Sequence, residues 1–155
     1  MNRALVRGGI LGLGLILISG CDQGEREDYA FYQAFEVSAK TEGVMFRPDL
    51  PGTYRFTITG GAYTLGNRLW LTALAIYIDG PIRTDSASGR PHPVSPDSIV
   101  GDFSLEPDRT MAEQVGLERQ TAIEVDEFAY FIVPDDLGTF GDNSGSVQMM
   151  IERNR

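Results

Sequence analysis

Thr53 to Thr59 is the stretch that most narrows what this chain can fold into. Tyr54, Phe56 and Ile58 alternate with Thr53, Arg55, Thr57 and Thr59. A period of two carried by aromatic and β-branched residues specifies a strand with one buried face. That face needs a second layer, and the chain offers more strands than helices to supply it. Phe31, Gln33, Phe35 and Val37 share a face, and Val44 to Phe46 forms a short run before the turn Pro48 to Gly52. Gly60-Gly61 is expected to break the Thr53 strand. Leu69 to Ile78 is apolar on both faces and fits a central strand or a short buried helix, with Trp70, Thr72, Ile76, Tyr77 and Ile78 favouring strand.

Three prolines make Arg83 to Asp97 a loop. Further strands are expected at Ile99–Leu105, Thr121–Val125 and Phe128–Val133, and around Val147, Met149 and Ile151. Asp108 to Gln114 is the one helical turn expected. Seven or eight short strands with Gly and Pro turns predict one all-β domain over residues 30–155, a β-sandwich or small barrel. Asp79, Glu124, Asp126 and Glu127 read as exposed, solvating charges, and Tyr130 and Phe131 as core.

The beginning of the chain reads differently. Arg3 and Arg7 precede an apolar run from Ile10 to Ile18, closed by Ser19-Gly20-Cys21. A basic start, a short apolar run and small residues before a cleavage point make a secretory signal, too short to span a bilayer. The ending resembles the lipobox of bacterial lipoproteins, which implies cleavage before Cys21 and acylation of its thiol. Such proteins usually carry three acyl chains, and more than one chain is needed for stable anchoring in a lipid bilayer. Residues 21–29 then form a short acidic tether to the periplasmic face of the envelope. Asp22 after the lipidated cysteine resembles an inner-membrane retention signal.

Cys21 is the only cysteine, so no disulfide supports the fold. The full chain has a formal charge of −9. Without residues 1–20 it loses Arg3 and Arg7 but no acid, leaving 11 basic and 22 acidic residues and a charge of −11. That balance argues against a nucleic-acid partner, which requires basic patches. Neither a Gly-x-Ser-x-Gly elbow, a zinc signature nor a phosphate loop is present. Asp135 and Asp136 are neighbours on one loop, so they cannot flank a glycosidic bond as catalytic pairs do. A binding protein is expected rather than an enzyme.

The densest chemistry lies in Pro134-Asp-Asp-Leu-Gly-Thr-Phe-Gly-Asp-Asn-Ser-Gly-Ser146. It gathers the carboxylates of Asp135, Asp136 and Asp142, the amide of Asn143, three hydroxyls and three glycines. Calcium takes six to eight hard oxygens from such a set. The same residues also serve as an acidic turn, where Asp, Asn and Gly satisfy backbone geometry.

The spacing of this loop resembles the calcium loop of the PA-IL-type galactophilic lectins, small bacterial domains with a jelly-roll β-sandwich. Their loop runs Asp, three residues, Thr, two residues, Asn or Asp, Asn, then Ser-Gly-Ser. The resemblance implies a galactose-binding-like fold and Ca2+ held by Asp135, Asp142 and Asn143 and the Thr139 carbonyl. It also implies a distant carbonyl before a glycine. Gly61-Ala-Tyr-Thr-Leu-Gly66 keeps that spacing and puts Leu65 in the carbonyl position. In the lectins the ion takes two sugar hydroxyls while loop side chains, here Asp136 among them, bond the same ligand. A His-Pro on another loop packs on the sugar, and His92-Pro93 stands in that order here. Galactose-containing glycans are therefore the expected partners. The alternative is an envelope lipoprotein whose calcium is structural and whose partner is a protein.

Overall fold

The computed structural model describes residues 29–66, 68–80, 84–85, 92–93 and 95–154. The signal at 1–20 lies outside the described residues, as does the tether apart from Tyr29. No helix among the described residues is long and apolar enough to cross a membrane. The protein is all-β, with two antiparallel sheets and little helix.

One sheet contains β1 (Tyr29–Ser38), β3 (Gly52–Thr64), β4 (Trp70–Leu71), β9 (Gln120–Val125) and β11 (Ser144–Asn154). Its order is β1-β11-β3-β4, with β9 also paired to β3. The other sheet contains β2 (Val44–Phe46), β5 (Leu74–Ile78), β8 (Ser98–Val100) and β10 (Ala129–Ile132), in the order β2-β10-β5-β8. A separate hairpin pairs β6 (Thr84–Asp85) with β7 (His92–Pro93). The two sheets share one core. Tyr54, Phe56, Ile58, Val147, Met149 and Ile151 from the first meet Phe46, Leu74, Ile76 and Phe131 from the second. Phe56 and Phe131 join the sheets edge to face at 5.1 Å, and Phe46 and Tyr54 do so at 5.3 Å. Such geometry favours aromatic pairs beyond their burial alone.

The Thr53 strand is longer than its sequence predicted. β3 runs on through Gly60-Gly61, where the register against β11 shifts at Gln148/Met149. Gly61 has φ 78°, and a Cβ there would lie 2.3 Å from the Ser146 carbonyl oxygen. The glycines thus allow a bulge and a close approach of two backbones instead of ending the strand. Beyond the bulge, β3 delivers Thr64 and Leu65 to the acidic loop.

Leu69 to Ile78 is neither one strand nor a helix. It splits into β4 and β5, and the chain crosses between the sheets at Thr72-Ala73. Its two apolar faces have separate causes. Leu74 and Ile76 face the shared core, whereas Ala75 and Tyr77 join Ile132 and Phe140 in a second cluster, with Leu137 against it. The loop after β10 therefore folds over the outer face of the second sheet, pinned there by two apolar side chains.

The expected strand Ile99–Leu105 shortens to β8. Beyond it Glu106 pairs with Trp70, each N–H donating to the other's carbonyl. The expected helical turn is a two-turn helix, α1 (Arg109–Gly116). Asp108 caps it by accepting from the N–H groups of Thr110 at 2.8 Å and Met111 at 3.3 Å. Small Ala112 and Gly116 form its buried side.

Asp79 does more than solvate the surface. It sits at φ 49° after β5, and its carboxylate accepts from the N–H groups of Asp126, Glu127 and Phe128 at 3.0, 2.6 and 2.9 Å. This clamps the β9–β10 turn. Desolvation pushes its pKa upward, but the three donors outweigh it and hold the carboxyl below its ordinary value. A lowered folded pKa stabilises the protein fully above the unfolded value of about 3.9, and that contribution fades as pH falls through the folded value. Asp79→Ala should cost about 1 kcal/mol at neutral pH, typical of a lost cap on an exposed turn. Asp79→Asn tolerates the positive φ and should cost less, while removing this group's share of the acid dependence. Urea unfolding at pH 7 and pH 3 measures both. Equal losses for Asp79→Ala at the two pH values would contradict the clamp.

Candidate metal centre

The β3–β11 ladder assembles the site. Ser144 lies opposite Thr64 and Gly145 opposite Tyr63, so the ladder ends with Asn143 beside Leu65. The carboxylate of Asp142 lies against the next residue, with Oδ2 only 2.5 Å from where a Gly66 Cβ would stand. Two segments separated by about seventy residues in sequence thus lie side by side. Across the loop, Asp135 follows directly on from β10 through Val133-Pro134.

Asn143 is 1 % exposed, the most buried polar residue of the loop. Its Nδ2 donates to Asp135 Oδ2 at 2.9 Å and to the Ala39 carbonyl at 3.1 Å. Two acceptors on the nitrogen side fix which way the amide points. Its Oδ1 is then buried without a hydrogen-bond partner among the described residues. An unsatisfied buried acceptor costs about 1–3 kcal/mol, so the arrangement calls for a donor or a cation on that oxygen.

Asp135 is half-buried. Its Oδ1 accepts from the Asp136 N–H at 2.8 Å and its Oδ2 from Asn143, leaving each oxygen a free lone pair. Its charge is felt in the core: burial, and after it the negative charge of Asp135, push the Tyr63 phenol well above its ordinary value. The Tyr63 hydroxyl donates to the Ala73 carbonyl. Thr139 donates from both N–H and Oγ1 to the Asp136 carbonyl, at 3.1 and 2.6 Å, closing the turn before a 3₁₀ turn at Phe140–Asp142. Asp142, Gly138, Thr139 and Gly141 are exposed, and no atom comes within 4 Å of a Cβ built on either glycine. The loop is closed on the Asn143 side and open on the Asp142 side.

Among the described residues no three His, Cys, Asp or Glu side chains are grouped to hold a metal by themselves. A cation here would rely on two carboxylates supplemented by the Asn143 amide and backbone carbonyls. That is a calcium-type donor set rather than a zinc-type one.

His92 and Pro93 form one side of the β6–β7 hairpin, with Asp85 opposite His92 and Thr84 opposite Pro93, outside both main sheets. Their side chains lie outside the described residues. Asp136 belongs to the loop, where its N–H donates to Asp135 and its carbonyl accepts from Thr139.

Three contributors went unread in the sequence. Phe140 is buried and anchors the loop, and the signal for it is an aromatic inside an acidic stretch. Tyr63 comes under the loop through the bulged register. Ala39 enters only through its carbonyl, for which no side-chain signal exists. No protein-family model matches the chain, and neither does any curated protein or solved structure.

Proposed function

We propose that this is a non-catalytic, membrane-anchored bacterial lipoprotein whose β-sandwich binds calcium at loop 134–146. Through that ion it takes paired hydroxyls of a galactose-type carbohydrate. The buried, unpartnered Oδ1 of Asn143 is the observation that carries the calcium reading. Asp135 beside it, and Asp142 against Gly66, supply the charge that a divalent ion needs. The fit of these residues supports ligands from Asp135, Asp142, Asn143 and the carbonyls of Leu65 and Thr139. Calcium would supply a positive centre that accepts neutral hydroxyl oxygens. The open Asp142 side agrees with an exchangeable ligand there, and the lectin resemblance adds the sugar class and the jelly-roll topology. Acylated Cys21 would hold the domain at the periplasmic face of the envelope, with Asp22 favouring the inner membrane.

A structural ion serving a protein-binding or scaffolding lipoprotein is the second reading. The placement of His92-Pro93 in its own hairpin, and the Asn143 tie to Ala39, favour it.

Calcium at about 100 times its Kd should stabilise the domain by about 2.7 kcal/mol, raising Tm by the order of 10 °C. A chelator should reverse the rise, and Asp142→Ala should remove most of it at the same calcium concentration. A Tm indifferent to calcium and chelator eliminates both readings. Galactose titrated into calcium-loaded protein then separates them: calcium-dependent heat supports the lectin, and none leaves the structural ion.

A further inference from the structure

Asn143 points outward from the loop as well as into it. Its Nδ2 is shared between Asp135 and the carbonyl of Ala39, which lies one residue beyond β1. Ala39 is fully buried and its N–H donates to the Gly145 carbonyl at 3.0 Å, so one residue is bonded on both sides to the segment 143–145. The turn that follows is local. Lys40 and Thr41 donate from their N–H groups to Ser38, and the Thr41 hydroxyl donates to the Ser38 carbonyl at 2.9 Å. Lys40, Thr41 and Glu42 are exposed. Beyond Ala39 the turn has little buried apolar surface, and its far end is held to β10 by the Glu42 carbonyl, which accepts from the Tyr130 hydroxyl at 3.4 Å; segments of this kind open at low free energy. Its side-chain attachment to the loop passes through the amide of Asn143, beside the backbone bond from Ala39 to Gly145.

We infer that the turn Ser38–Gly43 is an outer part of the cation site, held by Asn143, so that calcium binding and closure of this turn are a single event. The inference rests on the calcium reading above. An ion on Oδ1 fixes the Asn143 side chain, withdraws electron density from the amide and strengthens the N–H donated to Ala39. Outer partners of metal ligands act in this way, orienting the ligand while being ordered by it. The differential contact is one hydrogen bond, 3.1 Å long in the structure, which the ion would strengthen. Linkage then makes the effect reciprocal: a closed turn favours the ion as much as the ion favours closure. Because the turn connects the edge strand β1 with β2 of the other sheet, calcium would brace the two sheets against each other at this end.

Amide hydrogen exchange read by mass spectrometry, beside calorimetric titration of calcium, tests this on the purified protein. Saturating calcium should slow exchange at Ala39–Thr41 by about tenfold, together with loop 135–139. Asn143→Asp keeps an oxygen for the ion but replaces the Nδ2 donor. Its calcium affinity changes with the ligand, so it is compared at its own calorimetric saturation, where protection at Ala39–Thr41 should fall to about twofold or less. Asp142→Ala, which leaves the Ala39 contact intact, guards against a misfolded Asn143→Asp. In that variant the calcium concentration that protects the turn should rise in step with the calorimetric Kd. Calcium heat with unchanged exchange at Ala39–Thr41, or equal protection in Asn143→Asp, overturns the inference alone. Absence of calcium heat in the unaltered protein overturns the calcium reading itself and leaves Asn143 as a structural clamp.

Discussion

Gly145→Ala should destabilise the domain by about 4 kcal/mol, a large share of the 5–15 kcal/mol typical of a folded domain. Gly145 sits at φ 97°, where a non-glycine residue costs about 1–3 kcal/mol. The larger part is steric. The added Cβ would lie 2.3 Å from the Ala62 carbonyl oxygen and 3.0 Å from the Tyr63 Cα, both backbone atoms of the paired strand. No side chain can rotate out of the way, so β3 and β11 must separate where they present Leu65 and Asn143 to the loop. Gly138→Ala is the control. Gly138 also has positive φ, at 86°, but nothing lies within 4 Å of its Cβ position. It should lose only the backbone share, about 1 kcal/mol. Urea unfolding of the two variants separates the causes, and equal losses would show that close strand approach is not what glycine provides at 145.

The contrast bears on how the Ser-Gly-Ser ending of the loop is understood. As a spacing, it pointed to a ligand loop. In the structure Gly145 belongs to the ladder, and its role is to let two backbones touch. The same register brings Asn143 to Leu65. Fold and candidate site are thus not independent here, because the register shift beside Gly60 and the approach at Gly145 set how the segments 64–66 and 142–145 meet.

Period-two alternation was legible where one face is buried and the other wet, as in Tyr54, Phe56 and Ile58 or Val147, Met149 and Ile151. It failed where tertiary packing altered the pattern. Leu69–Ile78 is apolar throughout because its outer face is covered by Leu137 and Phe140 from a loop some sixty residues later. No local window contains that fact. Gly60-Gly61 looked like a stop because an isolated strand would end there, whereas β11 supplies a partner for the bulge. Asp79 looked like a solvated charge because its three donors come from residues 126–128. The candidate site was legible in its side chains, since carboxylates and amides are written in the sequence. The Ala39 carbonyl was not, because every residue has one.

Asn143→Ala should have the largest effect of any single change at the loop, and its size should depend on calcium. Without the ion, truncation leaves the Ala39 carbonyl and Asp135 Oδ2 without their shared donor and opens a small void, costs of about 1–3 kcal/mol together. Part of this is offset, because the orphaned Oδ1 disappears with the side chain. A net loss of about 2 kcal/mol in chelator follows. In calcium at about 100 times Kd the unaltered protein gains a further 2.7 kcal/mol or so that the variant cannot recover. The gap should therefore widen to about 5 kcal/mol. Paired urea titrations in calcium and in chelator give the two values directly. A purely structural amide would cost the same in both solutions, because its contacts to Ala39 and Asp135 would then be independent of the ion. The difference between the two losses, rather than either loss alone, therefore measures whether the buried oxygen of Asn143 is a ligand.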